Sequence, residues 1–362
     1  MPKRYLREAV RLYGEGIDLD WAVRISYVHQ VYGLFAQNLK EHFPKTQDMD
    51  TVKTLLLAAN QNRFEAMKMT GELVKLYRIF AENGIRAVPL KGAVLAKMLY
   101  ADPTCRHATD IDMLIRHEDF DAARKILAER GYTSGKSYVS TPKKTEVYES
   151  KFHDYDFVSP NDVKLELHWR VADIRAAEIL TCDNAISVIS FYGQELPTYT
   201  PEEWLVYLAY HGVHHGYMWM KWLVDFETMA RYSGVDRKAA MALAEEKGLA
   251  WALRASFELV RLTAGVDGAG QENCSNRLAL EMFRVLTKSE GQKDETFMAY
   301  RSYLDAELLR RGLLSDRERA RRIDPSEKDF ERFDFSDRFF FLYYIVRGPY
   351  KLYRMIADRL GR

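Results

Sequence analysis

Apolar residues at helical spacing fill the first part of the chain. Residues 4–40 and 51–83 carry them three and four positions apart, as at Leu73 and Leu76, and this spacing places them on one face of a helix. The same helical spacing of apolar residues returns after Val171 and continues to the end of the sequence. We therefore predict helical segments on both sides of a differently patterned middle.

The middle of the chain contains short runs rich in β-branched and apolar residues. They are Ile85–Leu90, Ile111–Ile115, Phe152–Val158 and Val163–Trp169. Helical stretches at 93–100 and 118–130 separate some of them, and such alternation indicates an α/β or α+β unit, of which we favour α+β. We predict a small mixed sheet at 85–172, between N-terminal helices at 1–84 and a helical C-terminal domain at 173–362.

Three C-terminal segments carry local predictions. Thr200, Pro201 and Glu203 have the spacing of a helix start, with the cap, the first position and the third position filled by favoured residues. The apolar run Phe339–Val346 is too short to span a bilayer and is interpreted as a buried helix segment. The basic stretch Arg310–Arg322 is interpreted as a solvated helix face.

Composition narrows the class of protein. The 362 residues include 53 basic and 52 acidic side chains, and 47% are hydrophobic, which is ordinary for a globular protein and excludes wholesale disorder. The near-neutral net charge argues against general electrostatic binding to nucleic acid or to an anionic membrane. Cys105, Cys182 and Cys274 fit neither a disulfide framework nor a closed zinc site, so a reduced, cytoplasmic setting is expected.

The first candidate for chemistry is the junction between the first predicted strand and the next helix. Lys91 and Gly92 stand there, and a helix N-terminus offers free N–H groups to an anion such as phosphate. Lys91 adds a positive charge. A tight turn with a surface lysine explains this motif equally well when it is taken alone.

The second candidate is the pair Asp110 and Asp112. Alternate residues of a strand share a face, so the two carboxylates project together while Ile111 and Met113 face the other way. A divalent cation such as Mg²⁺ relieves the repulsion between two such carboxylates. The alternative is an exposed polar strand edge.

The third candidate is the strand that carries Glu166 and His168. Polar and apolar residues alternate without a fault over 163–170, which is typical of a half-buried strand. The turn at 159–162 joins it to the preceding run, and such a hairpin brings Glu166 beside the Asp pair. Solvent exposure explains the polar face as well.

A histidine pair lies further along. On a helix His211 and His215 are one turn apart on one face, which is the spacing of a metal pair. One hypothesis is a zinc or hydrolase site, although no H-E-x-x-H motif is present. We favour a polar helix face that closes over the cleft formed by the candidate residues above and meets Lys221, Trp222 and Asp225. The role of His214 stays open.

The order of these motifs resembles the nucleotidyltransferase fold of the DNA polymerase β type, and more specifically an uncharacterised bacterial nucleotidyltransferase family. The matching residues are Leu90-Lys91-Gly92, Tyr100, Asp102-Pro103, Arg106, Asp110–Leu114, Gly131-Tyr132, Leu167-His168-Trp169, His211, His215, Trp222, Asp225, Asp324-Pro325, Tyr343-Tyr344 and Arg347. The resemblance covers roughly residues 50–355, and the D-I-D-x-L and L-H-W motifs together are fairly specific.

The resemblance implies roles for these residues. Asp110 and Asp112 match the carboxylates that bind Mg²⁺ or Mn²⁺, and Glu166 matches a third that binds metal and helps to deprotonate the acceptor. Lys91 and Gly92 match the turn that holds the phosphates of the nucleotide. The family pattern usually has Gly-Gly or Gly-Ser at this turn, and often Asp as the third carboxylate.

Four further residues have roles that leave alternatives open. Arg106 is placed near the departing pyrophosphate, with an ion pair to Asp102 as an equally good explanation. His168 is assigned either to contact with the nucleotide substrate or to bracing a metal ligand, and the bracing role is favoured over that of a general base. Asp154 and Asp156 form a rival carboxylate pair, ranked lower because no glycine turn and helix precede them.

The sequence thus predicts a Mg²⁺-dependent nucleotidyltransferase that moves an NMP, with AMP favoured, from an NTP to a hydroxyl group and releases pyrophosphate. The acceptor is unknown, and a small molecule, peptide or protein is favoured over nucleic acid; no membrane partner is expected. One alternative is a catalytically silent nucleotide- or partner-binding module of the same fold. Another is a metal hydrolase centred on His211 and His215.

Overall fold

The computed structural model describes most of the chain. The described residues are 3–136, 139–171, 179–264, 276–288, 291–313 and 324–359. Cys274 and residues 314–322 of the predicted basic stretch lie outside them. Arg310 and Arg311, at the end of a helix, form ion pairs with Glu307, as a solvated helix face does.

Four helices form the N-terminal part of the protein. They are α1 (Lys3–Gly14), α2 (Leu19–Val28), α3 (Tyr32–His42) and α4 (Asp50–Glu82). The predicted helix at 51–83 is confirmed by α4, whose buried Leu73 and Leu76 pack toward the sheet. The periodic stretch at 4–40 is divided into three helices, with Gly16 and Gln30 at positive φ in the turns between them.

A mixed sheet of four strands lies in the middle of the chain, as predicted. Its strands are β1 (Ala87–Leu90), β2 (Ile111–Ile115), β3 (Asp154–Val158) and β4 (Lys164–His168), in the order β1-β2-β4-β3. The strand β2 runs antiparallel to β1 and parallel to β4, and β3 pairs antiparallel with β4. The associated helices are α5 (Gly92–Leu99), α6 (Phe120–Glu129) and α7 (Pro142–Lys151).

Both faces of β2 are covered. Ile111, Met113 and Ile115 belong to a core shared with α4, while Leu114 belongs to a second core built mainly by the C-terminal helices. The strand is therefore buried along its whole length, and Asp112 is only 4% exposed. The interpretation of Asp112 as part of an exposed polar edge is wrong, because C-terminal helices cover that face.

The C-terminal part begins with a hairpin that the helical prediction missed. Strands β5 (Ser187–Phe191) and β6 (Gln194–Thr198) pair with each other, and Tyr192 and Gly193 both have positive φ in the turn between them, as two-residue hairpin turns require. Phe191 and Leu196 are buried in the same core as the central sheet. The prediction of helix from Val171 onward is therefore wrong over these strands, and the domain boundary near 172 stays a prediction.

Helices follow the hairpin. They are α8 (Pro201–His214), α9 (Met220–Ala230), α10 (Arg237–Glu246), α11 (Ala250–Thr263), α12 (Arg277–Lys288), α13 (Glu295–Arg310), α14 (Glu327–Arg332) and α15 (Leu342–Arg359). The predicted start of α8 is confirmed, since Thr200 and Glu203 form a reciprocal capping box with Pro201 at the first helical position.

The apolar run at 339–346 differs from its prediction. Phe340 and Tyr343 are buried, but Phe341 and Ile345 are more than half exposed, so only one face of the segment enters a core. Among the described residues, no helix is both long enough and apolar enough to cross a membrane.

Candidate active site

The turn from β1 into α5 has an unusual backbone. Lys91 has φ 43° and ψ −133°, and Gly92, the first residue of α5, has φ 45°. A non-glycine residue in such a conformation costs about 1–3 kcal/mol. Lys91 thus occupies the place of the first glycine of a Gly-Gly turn, and its Nζ lies 3.2 Å from Oδ1 of Asp112.

The three predicted carboxylates come together at the edge where β2 begins. Asp112 and Glu166 are paired in register on the parallel strands β2 and β4, so their side chains lie on one face of the sheet. Asp110 immediately precedes β2 and is partly buried. This register places Glu166 beside Asp112.

Asp112 accepts two charge-assisted contacts. Its Oδ1 lies 3.2 Å from Nζ of Lys91 and 3.0 Å from Nε2 of His168. Burial alone would raise the pKa of Asp112, but the charge of Lys91 and the hydrogen bond from His168 outweigh burial and hold the pKa well below its ordinary value. Asp112 is therefore ionised, and Nε2 of His168 is the donor because an ionised carboxylate only accepts.

His168 also reaches Glu166. Its Nε2 lies 3.5 Å from Oε2 of that residue. Burial alone would lower the pKa of His168, but the hydrogen bonds to Asp112 and Glu166 raise it to about 9. These contacts with Asp112 and Glu166 agree with the sequence-based expectation that His168 holds a metal-binding carboxylate in place.

The negative charges of Asp110 and Glu166 are offset less fully by neighbouring groups than the charge of Asp112. Burial, followed by the charge of Asp112, raises the pKa of Asp110. The hydrogen bond from His168 lowers the pKa of Glu166, but burial and the charges of Asp112 and Asp110 leave it raised. A divalent cation would relieve this repulsion.

The donor set fits such a cation. Carboxylate oxygens are the ligands that Mg²⁺ prefers, and one ligand atom each of Asp112, Glu166 and His168 lies within 4.8 Å of the others. The residues present therefore fit a metal held mainly by the carboxylates.

Arg106 lines a small cavity together with Asp110 and Asp112 and forms a buried ion pair. Its Nε donates to Oδ1 and Oδ2 of Asp225 and its Nη2 donates to Oδ2, and Asp225 also accepts a hydrogen bond from the hydroxyl of Tyr100 at 2.7 Å. The suggested ion pair of Arg106 with Asp102 is wrong, since Asp102 pairs with Arg63. A contact between Arg106 and pyrophosphate stays a prediction.

Helix α8 forms the wall opposite the carboxylates. The ring centroids of His211 and His215 lie 5.3 and 5.0 Å from that of Trp222. Burial is the largest cause that lowers the pKa of both histidines well below its ordinary value, so both imidazoles are neutral. The predicted contact with Trp222 agrees with these distances. Lys221 donates to Gln30 and Asp225 binds Arg106, and contacts of these two residues with the histidines stay a prediction.

A cavity of about 190 Å³ separates α8 from the sheet. Its lining includes Lys91, Glu166, His168, Tyr207, Tyr210, His153, Asp154, Val171, His211, His214 and His215. Sequence reasoning missed Tyr207 and Tyr210, although each stands one helical turn before a histidine of the same face. A larger cavity of about 970 Å³ around Trp169 and Arg170 contains none of the predicted site residues.

Two groups of side chains among the described residues could hold a metal ion. One is Asp112, Glu166 and His168, and the other is His153, Asp154 and His168. His211 and His215 belong to neither group, so the described residues supply no third ligand for a hydrolase site there. In the rival pair, Asp154 lines the cavity while Asp156 is exposed and forms an ion pair with Lys136.

Comparison with known proteins agrees with this geometry. A family model described as an uncharacterised nucleotidyltransferase matches residues 15–265. The chain belongs to this nucleotidyltransferase family. The match includes the turn at Lys91, all three carboxylates and helix α8. It begins before the expected residue 50 and ends before Asp324 and Arg347, so it does not extend to the C-terminal part of the resemblance.

No curated protein and no solved structure matches the chain. Family membership makes the protein a nucleotidyltransferase. The nucleotide, the metal and the acceptor are matters for proposal.

Proposed function

We propose that this nucleotidyltransferase moves a nucleoside monophosphate, with AMP favoured, from an NTP to a hydroxyl group of a small molecule, peptide or protein, in a reaction that needs Mg²⁺ or Mn²⁺. The observation that carries the proposal is the convergence of Asp110, Asp112 and Glu166 beside the N-terminus of α5. Near-neutral overall charge supports a small-molecule or protein acceptor over nucleic acid.

The phosphates of the nucleotide bind at the turn. The first N–H groups of α5 have no side-chain cap, so they are free to donate to phosphate oxygens. Lys91 adds a positive charge on the same side. Bound metal supplies charge stabilisation at the α-phosphate.

The acceptor hydroxyl approaches from the cavity under α8. Its oxygen attacks the α-phosphorus, the bond to the bridging oxygen breaks, and pyrophosphate leaves. Glu166 takes the proton of the hydroxyl, and its raised pKa suits this role as a general base. His168 holds Asp112 in place by hydrogen bonding, and α8 limits the access of water that would compete with the acceptor.

A pyrophosphate assay tests the proposal. Full-length protein is incubated with each NTP, Mg²⁺ and candidate acceptors, and pyrophosphate release is measured. Because interactions with developing charge are worth about 100-fold or more in rate, Asp110→Asn and Glu166→Gln are each expected to lower release at least that far. Asp156→Asn is the matched control, since this exposed aspartate on β3 pairs with Lys136 instead. Unchanged release in Asp110→Asn would refute the assignment.

A second candidate function is a catalytically silent nucleotide-binding module. One observation favours it: Lys91 and His168 both contact Oδ1 of Asp112, where a cation would otherwise bind. Calorimetry separates the two functions. NTP binding that is independent of Mg²⁺, without pyrophosphate formation, supports the silent module, whereas binding that requires Mg²⁺ supports the transferase.

A further inference from the structure

The two ring nitrogens of His168 have different surroundings. Nε2 donates to Asp112, as described above, while Nδ1 is buried and has no hydrogen-bond partner among the described residues. The side chain is only 7% exposed. A buried nitrogen left without a partner costs about 1–3 kcal/mol. Whether or not Nδ1 carries a hydrogen, its bonding capacity is unused.

Two further ligand groups stand next to this imidazole. Asp154 pairs in register with His168 across the antiparallel strands β3 and β4, which places the two side chains on the same face. The ring of His153 lies 5.7 Å from that of His168, at an interplanar angle of 24°. One ligand atom of each of the three residues lies within 4.8 Å of the other two.

We propose that His153, Asp154 and His168 form a site for a divalent transition metal of the Zn²⁺ type, separate from the Mg²⁺ site at the three carboxylates. Two imidazoles with one carboxylate suit Zn²⁺, whereas Mg²⁺ prefers oxygen ligands alone. The ligating nitrogen of His168 is Nδ1.

The contact between Asp112 and His168 supports this assignment. A metal-ligating histidine almost always donates its other ring N–H to a carboxylate or carbonyl, which orients the ring. Here Nε2 of His168 donates to Oδ1 of Asp112 at 3.0 Å, which leaves Nδ1 for the metal. All three proposed ligands line the cavity under α8, so a fourth ligand can enter from it.

A metal on Nδ1 has a consequence for the neighbouring site. It keeps the hydrogen of His168 on Nε2, so the imidazole stays a donor to Asp112. The transition metal would thereby hold a carboxylate of the proposed Mg²⁺ site in position without itself taking part in nucleotidyl transfer.

Cobalt binding tests the proposal. Full-length protein is freed of metal with a chelator and titrated with Co²⁺ in excess Mg²⁺, which occupies the oxygen site. We expect one equivalent of Co²⁺ with visible absorption bands, displacement of Co²⁺ by Zn²⁺, and imidazole ligands in the X-ray absorption spectrum. Because even outer-sphere changes weaken metal binding 10- to 100-fold, loss of a ligand in His153→Ala or Asp154→Asn should weaken it by about 100-fold or more.

Two control variants separate this site from its neighbours. Asp156→Asn lies on the same strand outside the metal group and should bind Co²⁺ as the wild type does. Asp110→Asn should lower pyrophosphate release by about 100-fold or more but leave the Co²⁺ spectrum unchanged, so failure of the proposed transferase function and failure of this site are distinguishable.

The proposal is overturned by a wild-type protein that shows no Co²⁺ bands, or by a spectrum without imidazole ligands. It is also overturned if His153→Ala binds as the wild type does while His215→Gln loses the bands, since the metal would then lie on α8. The wild-type spectrum decides the question even if one of the variants fails to fold.

Discussion

Lys91 combines a strained backbone with a charged contact to Asp112. Burial would lower the pKa of its ammonium group, but the charge of Asp112 outweighs burial and raises the pKa, so Lys91 is a cation. The same side chain stands at the turn where phosphates are proposed to bind, and it lines the cavity from which the acceptor is proposed to approach. A lysine at a position that favours glycine is therefore explained by its charge rather than by its backbone preference.

Replacement of this charge gives the first residue-scale prediction. Lys91→Met keeps an unbranched side chain but removes the ammonium group that faces the phosphates and Asp112. Because charge stabilisation in such sites is worth about 100- to 1,000-fold in rate, pyrophosphate release should fall within that range and NTP binding should weaken. Lys97→Met, an exposed lysine of the same helix, is the control. Equal activity of both variants would contradict a role for Lys91.

Helix α9 is tied to the catalytic edge of the sheet by one buried cluster. Asp225 of α9 binds Arg106, which stands just before β2, and Tyr100, which follows α5. Arg106 and Asp225 are 5% and 1% exposed. The position of α9 relative to the carboxylates therefore depends on this cluster.

The cluster gives the element-scale prediction. Asp225→Ala leaves Arg106 buried without its partner, and breaking a buried pair in this way costs about 3–5 kcal/mol. The free energy of unfolding, measured in urea, should fall by that amount. Asp183→Ala is the control, because its ion pair with Arg116 is exposed and such pairs contribute about 1 kcal/mol or less. Similar losses in both variants would show that the Arg106 pair is no more important than a surface pair.

At the scale of the whole molecule, the N-terminal helices contact the C-terminal region beside the site. Nζ of Lys221 on α9 donates to Oε1 of Gln30 at 2.6 Å, and its backbone N–H donates to the carbonyl of His29. Burial, followed by the charge of Arg106, lowers the pKa of Lys221 to about 7. The interface thus holds a lysine that loses its proton near neutrality.

This lysine gives the whole-molecule prediction. In the unfolded chain a lysine keeps its proton up to about pH 10, whereas folded Lys221 loses it near pH 7. Between these values the unfolded state binds more protons, so the contribution of Lys221 to stability rises with pH. Relative to Lys221→Met, the wild type should be least stable at or below about pH 7 and gain stability toward about pH 10. Urea unfolding of both proteins near pH 7 and near pH 10 measures the difference in their free energies of unfolding. A difference that does not change with pH would contradict the lowered pKa of Lys221.

Much of the site could be predicted because its signals are local. The alternation of polar and apolar residues along 163–170 follows the two-residue period of a strand, and so does the spacing of Asp110 and Asp112. The capping box of Thr200 and Glu203 depends on the geometry of one helical turn. Each feature lies within a few residues, so the order of the amino acids is sufficient to reveal it. The β5–β6 hairpin also had a local signal, the turn residues Tyr192 and Gly193. It was missed because apolar residues at helical spacing dominate the sequence on both sides.

Other features depend on residues that are distant in sequence. The partner of Arg106 is Asp225, 119 positions away, rather than the nearby Asp102. Burial of Asp112 depends on C-terminal helices that cover one face of the sheet, and the group of His153, Asp154 and His168 depends on the register of β3 with β4.

The sequence by itself determined the four strands of the central sheet, the helices next to them and the chemical type of each site residue, because backbone periodicity and side-chain chemistry are properties of short segments. Only the tertiary structure decided which charges are paired, which carboxylates are buried and where His168 directs its two nitrogens. These outcomes depend on distances and on the exclusion of water, which exist only once the helices have packed against the sheet.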